Sequence, residues 1–567
     1  MNEVEEKEKE QKIVYNRGVY ANLKCDNKLG HPQFNPTEHQ LKTKEAFLAS
    51  KFKGMLLYHK LGSGKTCTSI LIADEMLEKK MINRVFILSP GSLRENWVSE
   101  YCKKCGRNAS SLSENYIFIT YNYAVGKNLP NFDNGLVIVD EVHNLINGVK
   151  NGSKNPSAIY NAISLSNCRV LLLSGTPIFN WVYEFALLGR LLKPGTDFPE
   201  VRDRKGHVNI ATFMSKFNKK EDGTLLPNNR TEMIRMFEGI ISYYPGSVAD
   251  VPETVEEPII KVEMTPYQES RYWAKNEIEV IFARPVNPKL YQTDRDKYEK
   301  LKKLHIMAKK NILTRQVSNF YYPPKYRKTK DILVSDGGWI DHEVFQDGKL
   351  FMKYSTKIAA FLLNLVKYYD QKHVLFTMFK TKSGVYLIQA ILKMCGIRSE
   401  IFSGDLDDQQ RKYILSRFNS ENNKHGEKIR ALLVTEAGAE GISVLEARHM
   451  HILESSHRMN RTIQAIGRVA RFRSHSRLPL EERKVQVWRY WSTATPEPYT
   501  LQMELTNPDG EKEIINKTIT NKETVDELLY KRGMIAITEV NSFLQLLQDS
   551  SIEKVIPPKK ILLKTII

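Results

Sequence analysis

Short apolar runs alternate with amphipathic segments twice along this chain, and between the two stretches the rhythm breaks. The first alternation covers residues 36 to 177, with apolar runs at 55–58, 84–89, 116–120, 136–140 and 169–174. The second has runs at 373–377, 401–403, 431–435, 449–453 and 485–490, with helix-period segments at 383–395, 409–418 and 460–471. Unbroken apolar runs between helices are what a parallel sheet covered on both faces requires. The pattern predicts an α/β protein with two parallel-sheet lobes, 36–177 and 351–495. A polar leader at 1–35, a largely helical insertion at 178–350 and a helical tail at 496–567 complete it.

The first apolar run leads into His59-Lys60-Leu61-Gly62-Ser63-Gly64-Lys65-Thr66, and a helix is predicted from Thr66 onward. Gly62, Ser63 and Gly64 at a strand-to-helix turn let backbone N–H groups converge on phosphate oxygens. Lys65 neutralises charge, and the Thr66 hydroxyl is a Mg²⁺ ligand. The wider motif begins with glycine where this chain has His59, so the loop is the shorter G-x-G-K-T form. After the run 136–139 stand Asp140-Glu141-Val142-His143. Adjacent carboxylates beside a phosphate loop have separate tasks: Asp140 holds Mg²⁺, largely through water, and Glu141 positions and deprotonates the attacking water. His143 either couples this site to the next strand or caps the following helix. In Ser174-Gly175-Thr176-Pro177 the hydroxyls of Ser174 and Thr176 are candidates to bond His143.

In the second lobe, Gln464-Ala465-Ile466-Gly467-Arg468-Val469-Ala470-Arg471 places Arg468 and Arg471 three apart, hence on one helical face. Two guanidinium groups suit the charge of a phosphoryl-transfer transition state.

Composition adds a partner. Lysine and arginine number 84 against 65 acidic residues, a formal charge of +19, which favours a polyanion such as nucleic acid. Residues 301 to 330 concentrate that charge, with nine lysines and arginines, no acidic residue, and Phe320, Tyr321, Tyr322 and Tyr326 interleaved. The stretch either tracks a phosphate backbone and stacks bases or is a solvated helix face before a Pro-Pro turn. Six irregularly spaced cysteines indicate a reducing compartment without disulfides, and Cys102-Lys103-Lys104-Cys105 lacks the second pair a structural zinc needs. No apolar run approaches a membrane span, so a soluble, unsecreted protein is expected.

Taken in order, these motifs resemble those of superfamily 2 helicases and translocases, over most of residues 36–490. The resemblance implies two RecA-like lobes and adds sites. Gln40 corresponds to the adenine-reading glutamine, and Gly441 and Gln464 to nucleotide contacts of the last two motifs. Ser92, Thr120, Gly404 and Thr435 correspond to nucleic-acid contacts. More narrowly, the stretches 436–443, 448–454, 466–483 and Gln316-Val317-Ser318-Asn319-Phe320-Tyr321-Tyr322-Pro323 resemble the Swi/Snf-related nucleoside triphosphatase I group of poxviruses and other large cytoplasmic DNA viruses. Phe472-Arg473-Ser474 after the last arginine differs from chromatin remodellers. The resemblance implies ATP and Mg²⁺ as cofactors and DNA rather than RNA as activator. It further implies a viral RNA polymerase or transcription complex as partner, in the cytoplasmic viral factory or the virion. A strand-separating helicase and an ATP-timed promoter-binding factor subunit are the alternatives.

Overall fold

The computed structural model describes residues 19–21, 34–60, 62–90, 97, 100–101, 105, 115–121, 129–178, 181–195, 198, 213–246, 251–286, 290–321, 353–381, 383–439, 442–506 and 512–555. The chain divides into two compact units, residues 1–248 with 535–567, and residues 249–534.

The first unit is built on a seven-stranded sheet, ordered Val19–Ala21, Tyr116–Thr120, Arg84–Ser89, Gly135–Asp140, Arg169–Ser174, Gly54–His59 and Ile241–Tyr244. All neighbours run parallel except the first pair. The central strands are buried along their whole apolar length, as a sheet covered on both faces demands. One face packs Val137, Val139, Val170 and Leu172 with Phe185 and Phe237, and the other packs Ile138, Leu171 and Leu173 with Ile70, Ile72 and Met76. The end of the chain returns to this unit. Val540, Phe543 and Leu547, from the helix Val525–Asp549, enter the first cluster, and Phe543 lies against Phe185, Phe217 and Phe237 at centroid separations of 5.4, 5.7 and 5.6 Å. The short helix Ile552–Val555 places Glu553 where it accepts hydrogen bonds from the Ser242 hydroxyl (2.6 Å) and the Tyr243 amide (2.8 Å).

The second unit has a parallel sheet ordered Glu253–Glu256, Lys484–Thr493, Ala447–Ile452, Lys372–Thr377, Ala431–Thr435 and Ser399–Phe402, with Ile260–Glu263 extending the pairing along Lys484–Thr493. Beside it, the helices Pro266–Phe282, Arg295–Lys309 and Ile312–Asn319 and the antiparallel hairpin Tyr499–Thr506/Lys512–Ile519 share a separate core around Tyr272, Trp273, Leu501 and Ile515. A buried polar bracket joins this module to the sheet. Lys357 pairs with Asp526 at 2.6 Å, the Ser318 hydroxyl donates to Asp526 (2.6 Å), and Asn319 donates to Glu454, which also accepts from Thr377 (2.5 Å). The Gln316–Pro323 stretch is therefore structural where it is described, because Ser318 and Asn319 are consumed in holding the module to the strand ends.

Several expectations are corrected. The boundaries at 177 and 351 do not mark the ends of the lobes, because strands between them complete both sheets. The 496–567 tail is not purely helical, since the alternation in 499–519 belongs to a hairpin. Phe320 and Tyr321 are buried in apolar clusters, which rules them out as base-stacking platforms. Tyr322 and Tyr326 lie outside the described residues. The expectation of no disulfides also fails. Cys67, in the helix Lys65–Glu78, is bonded to Cys105, with Cα atoms 5.4 Å apart, because the fold packs residues 38 apart in sequence into one core where both cysteines are buried. Cys102 lies outside the described residues, and no helix among the described residues is long and apolar enough to cross a membrane.

Candidate functional site

Parallel register brings the candidate residues of the first unit to one edge of its sheet. Tyr58 pairs with Ser174, Asp140 with Leu173, Leu88 with Val139, and Ser89 with Thr120. The carboxyl ends of these strands thus carry the phosphate loop, the Asp140-Glu141 turn, the Ser174–Pro177 turn and Thr120 together. That is where open α/β sheets bind ligands.

Gly62 and Gly64 both adopt left-handed backbone conformations, with φ of 78° and 76°. Gly64 is the N-cap of the helix Lys65–Glu78 and makes no side-chain cap, so the positive end of that helix opens onto the loop, where an anion is favoured. The left-handed backbone at Gly64 favours glycine, and a Cβ there would also press on Gln40 Nε2 at 2.6 Å. Lys65 Nζ bridges the loop to the carbonyl oxygens of His59 (2.9 Å) and Lys60 (3.4 Å). The Ser63 hydroxyl is buried and makes no hydrogen bond. A buried unfilled hydroxyl, a helix N-terminus and an ammonium around one loop fit a phosphate group. For Mg²⁺ the donors are a hydroxyl, Thr66, and a carboxylate, Asp140. These hard oxygens suit that ion, which ordinarily takes its other ligands from phosphate and water.

Burial pushes the Asp140 carboxyl up to about 7, and the neighbouring Glu141 carboxylate adds to that effect, while the Lys65 ammonium opposes it. A bound divalent cation would favour the ionised form. Glu141 stands at φ 48°, a region non-glycine residues rarely occupy. Its amide donates to Asp140 Oδ1 (3.0 Å), and its carboxylate lies 3.4 Å from His143 Nδ1. His143 is the first residue of the helix His143–Lys150, so it faces Glu141 from a helix start. The Ser174 hydroxyl accepts the Thr176 amide at 3.0 Å.

The loop also rests on contacts beyond the glycines and Lys65. The Gln40 carboxamide accepts from the Thr37 amide (2.9 Å) and donates to the Gly64 carbonyl (3.2 Å), which ties it to the phosphate loop. His39 contacts the Ser63 carbonyl through Nε2 (3.0 Å) and stacks on Tyr244 at 3.6 Å between centroids. His59 Nε2 lies 2.8 Å from the Ser242 hydroxyl, and burial, reinforced by the nearby charges of Lys65 and His39, holds the imidazole well below its usual range. Only the position of His39 beside Gln40 hinted at this support. Nothing local marks Ser242 or Glu553.

In the second unit, Thr377, Thr435 and Phe402 reach the carboxyl edge in register, followed by Ser403-Gly404. A Cβ at Gly404 would lie 2.6 Å from the Ala437 Cβ, and one at Gly438 would lie 2.1 Å from the Phe402 carbonyl oxygen, so the two turns interlock through glycine. Thr435 accepts the Gly438 amide through its hydroxyl (3.3 Å). The helix Met459–Val469 carries Gln464 and Arg468 but ends before Arg471. This corrects the expectation of one helical face. Ala470 leaves the helical conformation, and the Arg471 amide bonds to the Ser474 hydroxyl at 3.1 Å, starting a new turn. Ser92 and Gly441 lie outside the described residues.

Two domain families match the chain: "Type III restriction enzyme, res subunit" over residues 33–179 and "Helicase conserved C-terminal domain" over 357–473. A protein of Acanthamoeba polyphaga mimivirus, provisionally named ATP-dependent RNA helicase R563, is 26% identical over 513 residues, spanning 80% of this chain and 83% of its own. The Termination factor NPH-I homolog of African swine fever virus (isolate Tick/Malawi/Lil 20-1/1983) is 24% identical over 584 residues, spanning 88% of this chain and 76% of its own. The Sulfolobus solfataricus SWI2/SNF2 ATPase core in complex with dsDNA aligns at 18% identity over 83% of this chain and 91% of that one, but a TM-score of 0.32 is too low to bear weight. With phosphate loop, paired carboxylates and both matched domains in place, the chain is a nucleic-acid-dependent ATPase of the superfamily 2 helicase type, similar to the viral NPH-I proteins.

Proposed function

We propose that this enzyme is a DNA-dependent ATPase that translocates on DNA and acts in viral transcription, at transcript release or early promoter engagement. The observation that carries the ATPase half is the shared edge of one sheet holding Lys65, Asp140 and Glu141. The transcription half is supported by the likeness to a protein named as a termination factor. Lys65 and the loop amides bind the triphosphate, Thr66 and Asp140 hold Mg²⁺, and Glu141 orients and deprotonates the attacking water. When bound, Mg²⁺ neutralises phosphate charge. Arg468 and Arg471 lend positive charge to the transition state, each from its own backbone setting. Thr120, Gly404 and Thr435, with Ser92, contact the nucleic acid backbone, and the exposed lysines at 302, 303, 309 and 310 supplement them.

The test is ATP turnover measured with duplex DNA, single-stranded DNA and RNA side by side, for the wild type and Glu141→Gln. DNA-stimulated turnover that falls by about two orders of magnitude or more in the variant is expected for loss of the water-activating base. Normal turnover in Glu141→Gln removes the assignment. Stronger stimulation by RNA redirects the reading to an RNA-acting helicase, as the mimivirus relative is named.

A further inference from the structure

The Asp140–Glu141 peptide is held at both ends. Its N–H donates to the Asp140 carboxylate (3.0 Å), and its carbonyl accepts the hydroxyl of Tyr121. Tyr121 follows Thr120, the last residue of the strand Tyr116–Thr120, which is not a neighbour of the Asp140 strand. The strand Arg84–Ser89 lies between them, so the phenol reaches over it. Its ring is buried in the same apolar cluster as Val139 and Val142, on either side of the carboxylate pair. The peptide it grips is the one from which Glu141 departs at φ 48°, and a residue in that region keeps its conformation only where its surroundings over-determine it. Beyond the turn, the Val142 amide donates to the Leu173 carbonyl (3.2 Å) and the Asn144 amide to the Glu141 carbonyl (2.9 Å), so among the described residues Tyr121 holds this backbone from beyond the turn and the adjacent strand.

We infer that Tyr121 is a positioning residue that sets the aim of the Glu141 carboxylate, and that it carries the state of the Thr120 strand end, where nucleic acid is proposed to bind, to the water-activating group. This rests on the proposed function above. A polynucleotide pressing on Thr120 displaces Tyr121 by the shortest covalent path. The hydroxyl then moves the Asp140 carbonyl, and the shared peptide plane turns Glu141.

The experiment is steady-state ATP turnover by the full chain, with and without saturating duplex DNA, for the wild type, Tyr121→Phe and Tyr116→Phe. Phenylalanine keeps the ring and removes only the hydroxyl. Tyr116 is the control, because its hydroxyl donates to Asp74 (2.7 Å) from the same strand but away from the carboxylate pair. In Tyr121→Phe the DNA-stimulated kcat should fall roughly tenfold, the effect of one missing hydrogen bond, with KM for ATP unchanged and the unstimulated rate falling less. Tyr116→Phe should behave as wild type. Wild-type stimulation in Tyr121→Phe overturns the inference. So does an equal fall with and without DNA, or a matching loss in Tyr116→Phe. A wild-type chain that DNA does not stimulate at all defeats the proposed function instead, and shows this before any substitution is made.

Discussion

Acidification should unfold the second unit early, and the size of the effect follows from three buried histidines. His373, His449 and His451 lie fully buried on two adjacent parallel strands and stack on one another, with His373 centroids 4.7 and 5.3 Å from the other two. Every ring nitrogen has a partner, and the partners require neutral rings. His373 Nε2 donates to the Tyr368 carbonyl (3.0 Å), which leaves its Nδ1 to accept from His451 Nε2 (3.0 Å), and His451 Nδ1 accepts from the Tyr490 hydroxyl (2.9 Å). Trp488 donates to His449 Nδ1 (3.1 Å), whose Nε2 donates to Gln371 (2.7 Å). A proton added anywhere breaks a bond in a dry core. Burial, with the charge of Arg430, holds His373 at about 4; burial, then His373 and Arg448, hold His449 at about 2; and burial holds His451 well below its usual value. The unfolded chain takes up these protons near pH 6.5 and the folded chain does not, so stability is fully present above that pH and declines as pH falls below it. At pH 5 the first two histidines each remove about 2 kcal/mol, roughly 4 kcal/mol together, and His451 acts in the same direction. Urea unfolding at pH 7.5 and 5.0, followed by tryptophan emission, measures this, since Trp488 is itself a member of the cluster. A midpoint that does not shift refutes the reasoning. So does an equal shift in a His373→Gln/His449→Gln double variant, because the loss would then arise elsewhere.

Two further outcomes are expected. Replacing the exposed Lys302, Lys303, Lys309 and Lys310 by glutamate should flatten the salt dependence of DNA affinity by roughly 0.7 to 0.9 in log–log slope for each phosphate no longer neutralised, with ATP affinity unchanged, and an unaltered slope measured by fluorescence anisotropy returns that helix face to solvent. Glu553→Ala deprives Ser242 and the Tyr243 amide of their acceptor and should cost the first unit about 1 to 3 kcal/mol in chemical denaturation, while an unchanged midpoint would show that the C-terminal helix does not stabilise this unit.

Periodicity located the strands well because each core strand is apolar throughout. Arg84–Ser89, Tyr116–Thr120, Arg169–Ser174 and Ala431–Thr435 have the bounds expected from the residues alone. The phosphate loop and the Asp140-Glu141 pair were legible for a different reason, since their chemistry is confined to a few consecutive residues. What was not legible depends on distant partners. Ile241–Tyr244 is a short run whose place beside Gly54–His59 is decided by the sheet, and the Cys67–Cys105 bond is decided by packing. Arg471 misled because spacing by three implies one face only while the helix continues, and here the Ser474 hydroxyl captures the Arg471 amide and ends it. The aromatic residues of the basic stretch misled in the opposite way, since composition does not distinguish a ring that faces water from one that fills a core.

The seating of Phe543 among Phe185, Phe217 and Phe237 bears on how the chain is made. A ribosome that has just released residue 248 must still add the whole of 249–534 before that phenylalanine emerges, which at typical elongation rates takes roughly fifteen seconds to a minute. Throughout that interval the nascent ATP-binding portion shows an uncovered aromatic hollow. Chaperone occupancy during synthesis, and premature termination, should therefore weigh more heavily on the beginning of this polypeptide than on its middle.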